Sequence, residues 1–193
     1  MKYLYIYIQN KHLEDVIKYG MKLSEYSNKL LKIFDVQKCG ITAFLSPKDS
    51  ELYYEGDYSC IKVLTNNING IIYNKTCDNS YLLNDFICDI SNYEIGHFEE
   101  PVAFITSTIL PENIQVYNKL QDVPLIIENS KQFYYEKAIN DMLENDKFSK
   151  YELYQMLLIL GEQKKIYETT IDNNIKIYED KISGKKYTKR SSF

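Results

Sequence analysis

The chain has 193 residues, of which 45% are hydrophobic and 26% are charged, a composition typical of a globular protein large enough for one sizeable core. Its formal net charge is −4, so the chain as a whole does not attract nucleic acid, and only local basic patches remain as candidate nucleic-acid contacts. No apolar run approaches the ~18 residues of a membrane span, and the N-terminus lacks a charged-then-apolar leader pattern. We therefore expect a cytoplasmic protein without a membrane segment.

Cysteine and histidine spacing argues against a bound metal. His12 and His97 stand apart from each other and from any cysteine at ligand spacing. The cysteines form no C-x-x-C pair and lie in apolar or strand-like contexts, which is typical of reduced thiols. They are Cys39, Cys60, Cys77 and Cys88. The 19 tyrosines, with no tryptophan, indicate instead that aromatic side chains with a polar tip line some surfaces or grooves.

The start of the chain has the patterns of a strand followed by helices. Residues 1–9 are rich in β-branched and aromatic side chains, which predicts a strand close to the centre of a sheet. Apolar residues recur at helical spacing over residues 11–19, and Gly20 then supplies a C-terminal stop. Similar spacing predicts a second helix over residues 21–34.

A proline break separates the next two predicted strands. Residues 41–45 form an apolar run that predicts a buried strand, which stops at Ser46-Pro47 because proline favours a turn there. Residues 58–64 resume a β-type composition. The polar loop 48–57 between these strands is therefore placed where a ligand can reach it.

The middle of the chain combines one predicted helix with two predicted strands. Residues 81–90 carry apolar side chains on one helical face. Residues 102–107 predict a strand, and residues 111–117 predict a turn that leads into an edge strand.

Helix formers and charged residues dominate from residue 129 onward. Residues 131–144 and 149–167 have helical periodicity, and Ser149 with Glu152 fits an S-x-x-E capping box. Residues 171–178 indicate a strand or one half of a hairpin.

These patterns predict two regions of different character. Residues 1–128 form an α+β core, and residues 129–193 form a helical C-terminal extension. The extension ends in a basic tail at residues 185–190, which we expect to be frayed.

Two short polar stretches carry candidate chemistry, whereas the G-x-S-x-G, G-x-G-x-x-G and P-loop motifs are absent. Glu99-Glu100 precede a predicted strand, where a carboxylate acts as a base, holds a ribose hydroxyl or is simply a solvated loop acid. Lys48-Asp49-Ser50 follow a proline and fit either phosphate binding or ordinary turn chemistry.

Three segments, in the same order along the chain, resemble the ADP-ribosyltransferase fold and, within it, the DarT-like toxins that modify DNA. Residues 5–9 (YIYIQ) and 12–20 (HLEDVIKYG) are similar to the family's opening strand and N-L-x-x-I-L-x-x-G helix. Residues 43–53 (AFLSPKDSELY) resemble its P-F-Y-F-x-P-R-S-x-M-L-Y strand and loop. Residues 100–104 (EPVAF) and 109–114 (ILPENI) are similar to its glutamate-led strand and I-P-P-E-x-I continuation.

The resemblance implies a split, mixed or antiparallel β-sheet that holds NAD in a cleft. Glu100 stands where the family has its catalytic glutamate, and Glu94 and Glu99 are rivals for that role. Lys48 stands where the family has an arginine that supports phosphate binding or catalysis. A lysine ammonium is a single point charge, however, and lacks the planar pair of donors that an arginine guanidinium presents. The cofactor-binding candidates that follow from the alignment are Tyr5, Tyr7, Gln9, Ser46, Tyr53 and Tyr54. The region of the opening strand where the family binds NAD through a histidine or arginine is occupied here by Tyr5, Tyr7 and Gln9. The resemblance also implies that Tyr53, Tyr54 and Tyr58 stack on nicotinamide or a base.

Two functions follow as expectations. The first is transfer of ADP-ribose from NAD to nucleic acid or protein, in a toxin or defence role. The second is a catalytically inactive binding module, phage-encoded or defence-associated, that binds a nucleotide or a host protein. Neither expectation includes a metal ion.

Overall fold

The computed structural model describes residues 2–33, 36–75, 87–118, 129–145 and 149–189. The chain divides into two compact units, Met1–Lys131 and Gln132–Phe193, which we call unit 1 and unit 2. Unit 1 combines antiparallel sheets with a few short helices, so the predicted α+β class is confirmed. Among the described residues, no helix combines the length and the apolar character that crossing a bilayer requires.

The described part of unit 1 contains eight strands and two short α-helices. In chain order they are β1 (Tyr3–Gln9), α1 (Leu13–Tyr19), α2 (Leu23–Tyr26), β2 (Lys29–Ile33), β3 (Val36–Ala43), β4 (Tyr58–Leu64), β5 (Gly70–Asn74), β6 (Ile87–Asp89), β7 (Pro101–Ile105) and β8 (Ile114–Val116). Single-turn 3-10 helices at Pro47–Asp49 and Glu51–Tyr54 fill the loop between β3 and β4.

The strands form two sheets in which every described pairing is antiparallel. One sheet has three strands in the order β1-β4-β8, and the other has five in the order β2-β3-β7-β5-β6. A bridge between Tyr5 and Phe44 connects β1 to the residue that follows β3. Antiparallel pairing throughout agrees with the split antiparallel alternative, and no mixed sheet occurs among the described strands.

The core of unit 1 follows from the alternation of side chains along the strands. Leu4 and Ile61 of the three-stranded sheet and Ile41 and Ile105 of the five-stranded sheet belong to the largest buried cluster. Residues that alternate with this set on the five-stranded sheet form a second cluster on its other face. That cluster contains Leu31, Ile33, Tyr73, Val102 and Phe104.

Two expectations about the first forty residues are wrong. Residues 21–34 do not form one helix, because α2 ends at Tyr26 and β2 follows it. Leu31 and Ile33 alternate with exposed or half-buried neighbours and pack into the second cluster, so pairing with β3 prevails over the helical spacing. The opening strand β1 lies at the end of its three-stranded sheet and not at the centre. Gly20, in contrast, ends α1 with φ of +77°, as predicted.

The other expectations for unit 1 have mixed outcomes. The strands predicted at 58–64 and 102–107 correspond to β4 and β7, and residues 111–117 contain the edge strand β8. The helix predicted over residues 81–90 lies mostly outside the described residues, as does Cys77. Its last part, Ile87–Asp89, is the strand β6, which pairs with β5.

The described part of unit 2 contains helices followed by strands along the chain. Helix α3 (Ser130–Asn145), whose first two residues lie in unit 1, is followed by α4 (Lys150–Gln163), β9 (Tyr167–Asp172), β10 (Ile175–Asp180) and β11 (Lys186–Lys189). The predicted capping box at the start of α4 is confirmed, because the Ser149 hydroxyl accepts from the Glu152 N–H and the Glu152 carboxylate accepts from the Ser149 N–H.

The description of residues 129–193 as a helical extension is wrong for its last part. Strands β9, β10 and β11 form a three-stranded antiparallel sheet in the order β11-β10-β9. Asn173 and Asn174 both have positive φ, of 46° and 63°, which is the backbone signature of a tight two-residue hairpin. Within the basic tail, Lys186–Lys189 forms β11 and pairs with β10, so the expected fraying is wrong for these four residues.

Gly161 allows the ring of Tyr167 to pack directly against α4. A Cβ atom at Gly161 would lie 2.2 Å from Cε2 of Tyr167, so even alanine requires the ring to move. We expect Gly161→Ala to lower the free energy of unfolding by roughly 1–3 kcal/mol through overpacking. Thermal unfolding followed by circular dichroism measures this, with Gly56→Ala as the control because a Cβ there meets nothing within 4 Å. Equal melting temperatures for the two variants would contradict the packing role.

Candidate functional site

A cavity of about 350 Å³ opens in unit 1 at one end of the five-stranded sheet. Thr42, Tyr73 and Val102, from three neighbouring strands, lie beneath it. Its charged lining consists of Lys29, Lys48, Asp49, Lys75, Glu99, Glu100 and Lys131. The volume falls in the lower part of the ~300–1,000 Å³ range of small-molecule sites.

The main-chain position of Glu100 is fixed by the end of β5. The Glu100 N–H donates to the Asn74 side-chain oxygen at 3.2 Å, and its carbonyl accepts from the Lys75 N–H at 2.8 Å. Asn74 is also the register partner of Pro101, the first residue of β7. The strand pairing therefore carries Glu100 to the edge of the cavity.

Lys131 bridges the two glutamates that line the cavity. Its Nζ lies 2.6 Å from Oε1 of Glu100 and 3.0 Å from Oε1 of Glu99. All three side chains are about one-third exposed, at 34%, 30% and 37% for Lys131, Glu99 and Glu100. Partial burial by itself lowers the pKa of Lys131, but the hydrogen bonds to Glu100 and Glu99 outweigh it and raise the pKa above the ordinary value. The lysine is therefore fully charged at neutral pH.

The loop that carries Lys48 is held by Asp49. The Asp49 carboxylate accepts from the Ser46 N–H at 2.9 Å, which closes a capping box over the 3-10 turn. It also accepts from the N–H and the hydroxyl of Ser130, at 2.7 and 2.6 Å. Burial raises the pKa of Asp49, and these hydrogen bonds act in the opposite direction. Asp49 and Ser50 thus stabilise the loop, since Asp49 belongs to the capping box and Ser50 caps the next 3-10 turn. Lys48, in contrast, lines the cavity.

The predicted glutamates are not equivalent. Glu99 and Glu100 both line the cavity, whereas Glu94 is exposed in the preceding loop and lies outside the lining. His12 and His97 are exposed as well, and no group of metal-ligating side chains occurs among the residues that the structure describes.

The predicted tyrosines lie elsewhere in unit 1. Tyr7, Tyr53 and Tyr58 line a smaller cavity of about 260 Å³, together with Ser59, Cys60, Val116 and Tyr117. Tyr5 is buried and packs edge-on against Tyr117, with ring centroids 5.8 Å apart. The Tyr7 hydroxyl donates to the Pro47 carbonyl at 2.6 Å, and burial raises the pKa of Tyr7.

The remaining predicted cofactor-binding residues do not reach the main cavity. Ser46 is buried and its hydroxyl accepts from the Lys48 N–H. Gln9 is exposed at the end of β1, and Tyr54 is 74% exposed on the loop. The structure therefore brings Lys48 and Glu100 together and places the six other candidates outside their cavity.

The Tyr7 hydrogen bond predicts a modest stability effect. Tyr7→Phe leaves the ring in place and removes the donor to Pro47, so we expect a loss of about 0.5–1.5 kcal/mol in the free energy of unfolding. Urea denaturation measures the change, and Tyr54→Phe is the matched control on an exposed ring. A Tyr7→Phe variant as stable as the control would show that the bond adds nothing.

Several residues of this cavity were not singled out from the sequence, among them three lysines and a tyrosine. Lys29, Tyr73, Lys75 and Lys131 enter it from β2, β5, the residue after β5 and the start of α3. The adjacent acidic residues Glu99 and Glu100 gave a partial indication, because two neighbouring carboxylates are stabilised by a nearby cation. The identity of that cation depends on tertiary contacts, which no spacing in the sequence reveals.

Comparison with known proteins gives no family assignment: no protein-family model, no curated protein and no solved structure matches this chain.

Proposed function

We propose that unit 1 is an ADP-ribosyltransferase-like unit that binds NAD in the main cavity and transfers ADP-ribose to a nucleic acid or protein target. One observation supports this most directly. Lys48 and Glu100, which the resemblance selects from two separate segments, line the same cavity. The shared order of three segments along the chain and the antiparallel sheets are compatible with it.

The cavity offers chemistry that suits this substrate. Lysine ammonium groups attract the diphosphate, and Phe44 and Tyr73 give apolar surface for a planar ring. In the transfer, the bond between ribose and nicotinamide breaks and positive charge develops on the ribose. The Glu100 carboxylate stabilises that charge before the target nucleophile attacks and loses its proton.

Incubation of the full chain with labelled NAD tests the proposal. The targets are single-stranded and double-stranded DNA, RNA and a protein extract, and calorimetry measures NAD binding in parallel. We expect NAD to bind and label to appear on one target class. A chain that neither binds NAD nor transfers label would overturn the proposal.

A second candidate function is binding without transfer. It is favoured by the two ion pairs of Lys131, which occupy the carboxylates that transfer would use. In this case NAD or another nucleotide binds without label transfer, or a pull-down recovers one stoichiometric protein partner. Label transfer by the wild-type chain would exclude it.

A further inference from the structure

Lys131 pairs with two of the acidic residues that line the main cavity. Its Nζ lies 3.0 Å from Glu99 and 2.6 Å from Glu100. Three more lysines, Lys29, Lys48 and Lys75, line the same cavity. Four lysines and three acidic residues, Asp49 among them, thus line one cavity.

The carboxylates are not equally available to exchange partners. Asp49 is committed to three donors from Ser46 and Ser130, so it remains with the loop. Glu99 and Glu100 hold Lys131 from positions that are about one-third exposed, at 30% and 37%. Ion pairs that solvent reaches are weak, at about 0–1 kcal/mol. An anion that enters the cavity can therefore replace them at Lys131.

A phosphate group is well suited to that exchange. It presents several acceptor oxygens to the three N–H donors of one ammonium, and neighbouring lysines add to the attraction. We propose that Lys131 is the phosphate-binding residue of this cavity and that a ligand phosphate displaces Glu99 and Glu100 from it. The inference rests on the proposed function, because it assigns the ligand's phosphates to the same cavity.

The exchange has a direct consequence for Glu100. In the structure its carboxylate is paired with Lys131. When phosphate holds Lys131, the Glu100 carboxylate becomes available to the ribose of the same ligand. Lys131 thereby links ligand entry to the exposure of the glutamate.

Calorimetric titration of the full chain with inorganic pyrophosphate tests this inference without any transfer reaction. We expect Lys131→Met to weaken pyrophosphate binding about tenfold, as loss of one charge-assisted contact predicts. The double variant Glu99→Gln/Glu100→Gln should bind about fivefold more tightly, because the competing ion pairs are gone. Lys131→Arg should retain binding, which separates loss of charge from loss of fold.

Lys22→Met is the matched control, since Lys22 forms an exposed ion pair with Glu25 outside the cavity. Its pyrophosphate affinity should equal that of the wild type. The inference is overturned if Lys131→Met binds pyrophosphate as tightly as the wild type, if the double variant is no tighter, or if the wild type does not bind pyrophosphate.

Titration with NAD separates the two proposals. Pyrophosphate affinities that change as expected, with no binding of NAD, support the phosphate site and overturn the NAD proposal. NAD binding and transfer, with pyrophosphate affinity insensitive to Lys131, overturn the phosphate inference alone.

Discussion

Glu100→Gln is expected to lower the rate of ADP-ribose transfer about 10²- to 10³-fold, the usual loss when one group that stabilises transition-state charge is removed. The amide keeps the size of the side chain but cannot carry the negative charge that the developing positive ribose requires. Binding of NAD should not weaken, because the charge on the ribose develops only during the reaction and loss of one ion pair to Lys131 favours phosphate binding. Initial rates with labelled NAD, together with calorimetry, measure both quantities.

Glu94→Gln is the matched control for this prediction. It makes the same chemical change on an exposed glutamate outside the cavity lining, so we expect wild-type transfer rates. Glu99→Gln distinguishes the two cavity glutamates, because Glu99 also pairs with Lys131. Transfer that is unaffected in Glu100→Gln but lost in Glu99→Gln would assign the role to Glu99. Wild-type transfer rates in all three variants would show that none of these glutamates takes part in the transfer.

Asp49→Ala is expected to give the largest loss of stability, roughly 2–4 kcal/mol in the free energy of unfolding. The carboxylate accepts from the Ser46 N–H and from both donors of Ser130. Alanine leaves these donors without their acceptor in a buried place, and unsatisfied buried donors cost about 1–3 kcal/mol each before the structure relaxes. Urea denaturation followed by circular dichroism measures the change.

Glu51→Ala provides the control in the same loop. Glu51 is an exposed acidic residue two positions further along, so its removal should change stability by no more than ~0.5 kcal/mol. Asp49→Asn should fall between the two, because the amide keeps only one acceptor oxygen. If Asp49→Ala unfolds at the same urea concentration as Glu51→Ala, the hydrogen bonds to Ser130 do not stabilise the fold.

Strands with a strong local pattern were predictable from the sequence. In β1, β4 and β7, apolar and aromatic residues dominate, and each of these strands contributes to the buried clusters. In β2 the pattern was ambiguous, since Leu30, Leu31 and Ile33 fit both a helical face and a strand. Pairing with β3 and burial of two of these side chains decided the outcome, and both depend on residues remote in sequence.

The residues of the candidate site that could be predicted are those next to a strand or turn with a clear sequence pattern. Glu100 precedes a buried strand and Lys48 follows a proline turn, so a local pattern marks each of them as a residue at the end of a strand or turn. Lys131 reaches Glu100 from 31 positions away, a contact that requires the complete fold. The tyrosines of β1 were predicted as ligand contacts, but the strand packs Tyr5 against Tyr117 and bonds Tyr7 to Pro47. Their aromatic character alone did not indicate which face of the sheet they occupy.

The clamp between Asp49 and Ser130 has a consequence for the spacing of charge in the cavity. These two residues lie 81 positions apart in the chain, and each is the immediate neighbour of a cavity lysine, Lys48 and Lys131. The main-chain positions from which the two lysine side chains start are therefore held near each other by these hydrogen bonds. For the proposed phosphate site, both lysines therefore extend towards the ligand from anchored main-chain positions.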